Sequence, residues 1–507
     1  MAAQRPTETE LKFLVSREAA AAVWSHPALR APKQTRKLRS VYYDTPQWEL
    51  RRQRMALRLR DTGEGVVQTL KQQGGEGAFD RGEWERKVEG DAIDFAALAE
   101  TPAAKALDGE CALEPVFVTQ VERSLLSCAK DGALIEIGYD VGEFEAGDRR
   151  APIRELELEL KQGDVGVLFD LARNLSADID IRLSFESKSE RGYRLADDAE
   201  LSAHTSETIP LDPATPAGLA FKALAISCLG QAASNAEILA EVARPEAVHQ
   251  MRIGIRRLRA VMKAFEPILP GEDAKAVEEE LKWLAGELDP ARDLDVLISS
   301  SYIRAVHSLN DQGFAGLGQR LLDAQTKAYR TASAAARSRR CAELWLEAAA
   351  WIEAGGWTRS DDPIAVHPRD LPINRFAAEA LGHLRKVVLK RARRWAQLDE
   401  RGRHKLRIRA KRLRYCAELF QGLFPNHPRR RKSFLGSLKA MQGCLGDLND
   451  IASARQRALD HSGLKEPGTA FALGRVVGWR EADELPLKRA AAKEVEAFCA
   501  ARPFWRQ

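Results

Sequence analysis

The sequence predicts a multidomain α+β chain, with a mainly antiparallel β part followed by an all-α part. Three observations carry this prediction. Up to about residue 195 apolar and polar residues alternate with a period of two; from about 218 onward the period is near 3.6; and a proline-rich stretch lies between. A chain of 507 residues is also too long for a single hydrophobic core, so two or three domains are expected.

The period-two segments include Glu8-Thr9-Glu10-Leu11-Lys12-Phe13, Leu57-Arg58-Leu59-Arg60, Leu134-Ile135-Glu136-Ile137 and Glu155-Leu156-Glu157-Leu158-Glu159-Leu160. Turn signals such as Thr62-Gly63-Glu64-Gly65, Gly74-Gly75 and Gly147-Asp148 separate them. Alanine-rich stretches near 18–28, 94–107 and 164–176 read as helices. Pro210, Pro213 and Pro216, set among Ser and Thr, mark residues 199–217 as a linker between a first part (1–198) and a second (218–507). The second part repeats itself. His249-Gln-Met-Arg252-Ile-Gly-Ile-Arg256-Arg257-Leu-Arg259 matches His404-Lys-Leu-Arg407-Ile-Arg-Ala-Lys411-Arg412-Leu-Arg414, and Arg292-Asp293-Leu294-Asp295 is echoed by Gly446-Asp447-Leu448-Asn449. Two helical repeats, at about 218–365 and 370–507, are the simplest reading.

Composition narrows the class. The apolar share of 45% and charged share of 30% suit a globular protein. No run of about 18 apolar residues predicts a membrane span, and the N-terminus carries no signal-peptide pattern. Seven cysteines without CxxC spacing argue against a disulfide framework and a structural zinc site, and favour a reducing cytoplasm. The charge is uneven. Residues 1–200 hold 29 Lys+Arg against 37 Asp+Glu, a net −8, and the remainder nets +13. An acidic half suggests a cation or basic partner, and a basic half suggests polyanions.

Strand charges sharpen the first inference. Glu8, Glu10 and Lys12 share one face of their strand, opposite Leu11 and Phe13. Glu155, Glu157 and Glu159 share a face opposite Leu156, Leu158 and Leu160. Arg58 with Arg60, Thr69 with Lys71, Glu83 with Glu85 and Lys87, and Glu136 with Asp140 continue the pattern. Three carboxylates at i, i+2 and i+4 repel one another unless a cation sits among them. If these faces turn inward in a closed barrel, the lumen suits a hard divalent ion and the phosphates that Arg and Lys bind.

Glu8-Thr-Glu10-Leu-Lys12 resembles the E-x-E-x-K signature of the CYTH, or triphosphate tunnel metalloenzyme, family. Tyr42-Tyr43-Asp44-Thr45-Pro46, Leu57 to Arg60, Gln68 to Lys71, Glu155 to Glu159 and Ser187-Lys188-Ser-Glu-Arg191-Gly192-Tyr193 continue the resemblance over residues 5–196. It implies an eight-stranded antiparallel tunnel. Glu8, Glu10, Glu157 and Glu159, with Glu155 and Glu136 as further candidates, would hold Mg²⁺ or Mn²⁺. Lys12, Arg39, Arg58, Arg60, Lys71, Arg123, Arg182 and Lys188 would line the tunnel and neutralise a triphosphate.

In the helical half, His249, Arg252, Arg256 and Arg259 form a stripe about 80° wide, which His404, Arg407, Lys411 and Arg414 repeat. Met251, Ile255, Leu258 and Met262 supply a neighbouring apolar face. Stacked like charges destabilise a helix unless carboxylates or an anion compensate them, and Asp293, Asp295, Asp447 and Asp450 stand as partial compensation. This half resembles the CHAD domain, a pair of four-helix repeats, over about 216–500. The resemblance implies inorganic polyphosphate binding along the two stripes, with Arg257 and Arg412 included.

The combined expectation is metal-dependent hydrolysis of inorganic triphosphate in the cytoplasm, with the helical half holding polyphosphate or associating with its granules. The alternatives are a non-catalytic granule-binding protein, a class IV-type adenylyl cyclase and a thiamine triphosphatase. Nucleic acid is disfavoured as a partner, because aromatic residues rarely interleave with the basic stripes; Tyr415 is the exception. Residues 313–354 carry no readable role.

Overall fold

The computed structural model describes residues 7–30, 33–73, 80–107, 112–198, 202–205, 209–309, 314–460 and 467–506. The chain divides into two compact units, Met1–Ala203 with Ser338–Gly355, and His204–Arg337 with Gly356–Gln507.

The first unit is built on strands β1 (Thr7–Val15), β2 (Gln34–Asp44), β3 (Met55–Asp61), β4 (Val66–Gln73), β5 (Asp80–Val88), β6 (Glu114–Lys130), β7 (Ala133–Ala146), β8 (Arg149–Gln162) and β9 (Ile181–Ser184). Their order is β5-β4-β3-β2-β6-β7-β8-β1-β9, and a further β5–β1 pairing closes the first eight into an antiparallel ring. The closing contact is short, joining Thr7–Thr9 of β1 to Asp80–Gly82 of β5. β1 is shared along its length: β5 pairs with Thr7–Thr9, and β9 pairs with Lys12–Val15.

Side chains alternate across each strand, so the register separates a lumen from an outer surface. Leu57 and Leu70 point outward, where Leu50 of α1 (Glu49–Arg52), Leu98 of α2 (Phe95–Ala99), Ala103 and Ala106 cover them. α3 (Val165–Asp178) starts at Asp164, whose carboxylate caps the Gly166 amide at 2.7 Å, and buries Leu168, Phe169, Leu171, Ala172 and Leu175. α4 (Lys188–Ala196) opens with a capping box formed by Ser187 and Glu190. It delivers Tyr193 into an apolar plug at one end of the lumen, made of Tyr42, Phe117, Phe144 and Ile153. Tyr42 stacks on Phe117 at 4.3 Å, and Tyr193 meets Phe117 edge-on at 5.3 Å. The helix approaches so closely that a Cβ on Gly192 would lie 2.1 Å from the Phe117 ring.

Two expected helices shrink to short turns. The stretch 18–28 forms 3-10 turns Val23–Ser25 and Pro27–Leu29, because His26 before Pro27 is held extended at φ −67°, ψ 134°. Within 94–107, α2 spans five residues and a 3-10 turn follows from Pro102. The 164–176 stretch is α3.

The second unit contains α5 (Ala217–Glu241), α6 (Pro245–Ala264), α7 (Glu272–Leu297), a π turn Ile298–Tyr302, α8 (Ile303–Leu309) and α9 (Phe314–Arg337). After α10 (Arg339–Ala354), which packs in the first unit, come α11 (Pro363–Asp370), α12 (Ile373–Ala392), α13 (Glu400–Phe420), α14 (Pro428–Asp460), α15 (Pro467–Ala482) and α16 (Glu484–Ala500). Packing follows the internal repeat. α5, α6, α7 and α9 form one four-helix layer, and α12, α13, α14 and α16 form its counterpart. α6 packs on α13, and Phe265 joins the copies by stacking on Phe376 at 4.7 Å and touching Phe420 at 5.9 Å. The segment before α5 is tied to the second repeat, with Ile373 N donating to Thr215 O and Ala217 N to Leu371 O, both at 2.8 Å.

Two features differ from the sequence reading. Residues 338–355, assigned by it to the helical part, pack instead against α3 and β9 of the first unit. Their helix is apolar on most sides, burying Cys341, Leu344, Trp345, Leu346 and Ile352, so it needs cover beyond one neighbour. The preceding residues 314–337 supply the fourth helix of the first repeat. α5 is long and apolar enough to cross a membrane, although no such span was expected; 72% of its apolar window is buried, as befits a core helix. The six described cysteines are all free.

Candidate functional site

The barrel register arranges the inner face in levels. Glu10, Glu159 and Glu136 stand opposite one another across β1, β8 and β7. The next level holds Lys12, Glu157 and Gly138, and the one after it Leu14, Glu155, Asp140 and Arg123. On the other side, Ser40 and Tyr42 of β2 face Arg60 and Arg58 of β3, and Thr69 and Lys71 of β4 face Glu85 and Glu83 of β5. The local alternation thus places acid and base in one lumen, with the aromatic plug beyond them.

An ion-pair network fills the acidic side. Arg123 donates to both oxygens of Asp140 at 2.7 Å and to Glu157 at 2.5 Å. Lys188, at the start of α4, reaches Glu157 at 2.5 Å, Asp140 at 3.0 Å and also Glu155. Arg191, one turn later, takes the other oxygen of Glu155, which is fully buried. Lys12 lies 3.0 Å from Glu10. Burial opposes the charge on Glu157, yet Arg123, Lys188 and Lys12 overcome it and hold this carboxyl well below the usual range. Asp140 is depressed too, its burial outweighed by Lys188 and Arg123.

The basic side is less well balanced. Lys71 pairs with Glu83 at 3.1 Å, and Arg58 is 3.9 Å from the same carboxylate. Arg60 hydrogen-bonds Ser40 Oγ at 3.1 Å and has no carboxylate in ion-pair range among the described residues. Burial, with Arg58 and Arg123 nearby, pushes Arg60 down to about 10. Such crowding of buried cations marks Arg60 as a candidate anion-binding group.

The carboxylate donors fit a hard divalent cation in kind. Directly opposed carboxylates on three adjacent strands repel unless a cation lies among them, and Lys161 serves Glu159 at 2.5 Å and Glu136 at 3.6 Å. Among the described residues no three metal-binding side chains converge as a ready-made site, and the Glu8 side chain lies outside the described set.

The sequence-derived residues divide accordingly. Glu10, Lys12, Arg58, Arg60, Lys71, Arg123, Glu155, Glu157, Glu159 and Lys188 share the inner face. Glu155, expected near the metal, has both oxygens engaged by α4. Arg39, expected to line the tunnel, pairs in register with Asp61 and Gln120, one residue out of phase with Ser40, and is exposed on the outer surface. Arg182 stands on β9 opposite Leu14, 3.8 Å from Asp180. Asp140 and Arg191 were missed as site residues. Their signals were the spacing of Asp140 four residues from Glu136 on one strand face, and of Arg191 three residues from Lys188 on one helix face.

In the second unit the two basic stripes meet where α6 packs on α13. Arg256 and Arg407 lie close enough to disfavour the charge on Arg252 and Lys411, and Arg256 also acts on Arg407. Among the described residues, Arg256, Arg407 and Lys411 have no carboxylate in ion-pair range. Burial and neighbouring cations push Arg252 down to about 10, and Lys411, beside Arg407 and Arg256, down to about 7. His249 is lowered by burial and by Arg292, which the sequence reading quoted in the Arg292-Asp293-Leu294-Asp295 motif but did not count among the binding residues. His404 contacts Asn449 at 2.5 Å. Other stripe members turn elsewhere. Arg257 is buried and donates to Gln231 at 2.9 Å, so it braces α6 on α5 and does not face the groove. Arg259 pairs with Glu278 at 3.3 Å, Arg412 shares that acidic neighbourhood, and Arg414 pairs with Glu418 at 3.1 Å.

A closed antiparallel barrel with a charged lumen, followed by paired helical repeats with a basic groove, defines a two-domain class. Residues 6–193 match the CYTH domain and residues 223–459 the CHAD domain, so the chain is a CYTH domain followed by a CHAD domain. A Haemophilus influenzae protein named inorganic triphosphatase is 33% identical over 168 residues, 31% of this chain and 46% of that one. An uncharacterized protein of Mycobacterium tuberculosis is 27% identical over 315 residues, 59% of each chain. The chain thus spans about half the length of the curated relatives it matches. The crystal structure of the CHAD domain from the plant Ricinus communis covers 60% of this chain and 98% of its own, at 28% identity and a TM-score of 0.53.

Proposed function

We propose that the barrel is a metal-dependent inorganic triphosphatase and that the helical half binds inorganic polyphosphate. The carrying observation is a basic wall of Arg58, Arg60 and Lys71, in which Arg60 has no carboxylate in ion-pair range among the described residues, beside a carboxylate-lined wall in one lumen. The likeness to the Haemophilus influenzae protein supports the substrate class. Arg58, Arg60 and Lys71 would bind and orient the phosphates, replacing water with fixed charges. Glu8, Glu10, Glu157 and Glu159 would hold Mg²⁺ or Mn²⁺, which when bound withdraws charge from phosphate oxygens. Glu157, kept ionised by Arg123 and Lys188, suits holding a cation better than accepting a proton. Glu159 is then the better candidate to orient the attacking water. In the groove, Arg252, Arg256, Arg407 and Lys411 offer concentrated positive charge to a polyanion. The proposed setting is the cytoplasm, at or near polyphosphate.

Phosphate release from triphosphate, thiamine triphosphate and ATP with Mg²⁺ or Mn²⁺ tests the reading, with cyclic AMP assayed in parallel. Preferential cleavage of triphosphate is expected. No turnover of any of the three would leave a binding protein, and cyclic AMP formation would favour the cyclase.

A further inference from the structure

The groove between α6 and α13 contains a lysine in an unusual setting. Lys411 is half-buried, faces Arg407 and Arg414 on its own helix, Arg256 on α6 and Asp450 on α14, and has no carboxylate in ion-pair range among the described residues. An amine sheds its proton more easily than a guanidinium, so the strain of crowding cations falls on the lysine. Burial first, and then the crowding by Arg407 and Arg256, pushes Lys411 down to about 7, where a large share is the neutral nucleophile. The same guanidiniums attract small phosphate-bearing molecules.

We propose that Lys411 is an acylation site, modified by small acyl phosphates that the groove's arginines hold beside it. The neutral Nζ attacks the acyl carbonyl carbon and forms a C–N bond. The C–O bond to phosphate then breaks, and inorganic phosphate leaves with the bonding electrons. The extra proton on nitrogen passes to phosphate or water. Arg256 and Arg407 bind the phosphoryl oxygens and favour their departure. The product is a neutral amide, so one modification removes a positive charge from the groove and weakens its hold on polyanions. That last consequence rests on the polyphosphate reading above, whereas the modification itself needs only anion attraction and a neutral amine.

The test treats the full chain with acetyl phosphate at pH 7.5 and follows each lysine by site-resolved mass spectrometry. Lys411 should be labelled about tenfold or more faster than Lys275, an exposed lysine whose ammonium is favoured by Glu272. Arg407→Gln should slow labelling at Lys411 and leave Lys275 unchanged. Labelling of Lys411 no faster than Lys275 overturns the proposal. Excess long-chain polyphosphate should protect Lys411. Rapid labelling without protection keeps the modification and removes polyphosphate from this groove, while polyphosphate binding with Lys411 unmodified overturns the modification alone.

Discussion

Arg60 and Glu155 both face the lumen, but their surroundings are opposite. Arg60 has a serine hydroxyl as its hydrogen-bond partner, whereas Glu155 is gripped by Lys188 and Arg191. Arg60→Gln should therefore keep or raise the melting temperature while triphosphate turnover falls about 100-fold, the scale for one lost charge-stabilising donor. Glu155→Ala should do the reverse in stability, costing about 3–5 kcal/mol in denaturant unfolding by stranding buried cations. Acid adds a third prediction. The folded-state pKa values of Glu157 and Asp140 are depressed, so their contribution is fully present above the ordinary carboxylate range and is lost as pH falls through the depressed values. Melting temperatures between pH 7 and pH 2 should fall mainly at the acid end, and Asp140→Asn should flatten that fall.

At the scale of elements, α6 shows how one stripe of arginines serves two purposes. Arg256 faces the groove while the adjacent Arg257 is buried against Gln231 on α5. Arg256→Ala should weaken polyphosphate binding and lower the salt slope of its affinity by about one, with little change in melting. Arg257→Ala should lower stability by about 1–3 kcal/mol, because the buried Gln231 carbonyl loses its donor. Equal effects of both substitutions on affinity would refute this division. α4 likewise combines two roles, with Lys188 and Arg191 engaging carboxylates and Tyr193 closing the plug.

At the scale of the whole molecule, the order of residues does not match the order of packing. The barrel unit includes α10, whose Arg339, Ala342 and Leu346 line a cavity of about 370 Å³ with Phe13, Ile179 and Leu183. Glu347 adds two hydrogen bonds from Arg173, at 2.8 and 2.9 Å. A chain ending at residue 203 should therefore melt lower than the barrel in the full chain and bind a dye for exposed apolar surface. A barrel of undiminished stability in that shorter chain would show that α10 contributes nothing to it.

The sequence alone determined which side chains share a face within an element. Strand alternation put Glu10 with Lys12 and Glu155 with Glu157 and Glu159, and helical periodicity put Arg252 with Arg256 and Arg407 with Lys411. These follow from local backbone geometry, which a few consecutive residues set. Only the tertiary structure decided which faces look inward and who meets whom there. Register turned Arg39 outward, α4 claimed Glu155, α5 claimed Arg257, and α10 joined the barrel unit. Such choices depend on through-space burial and charge between segments far apart in the chain, and no local period encodes them.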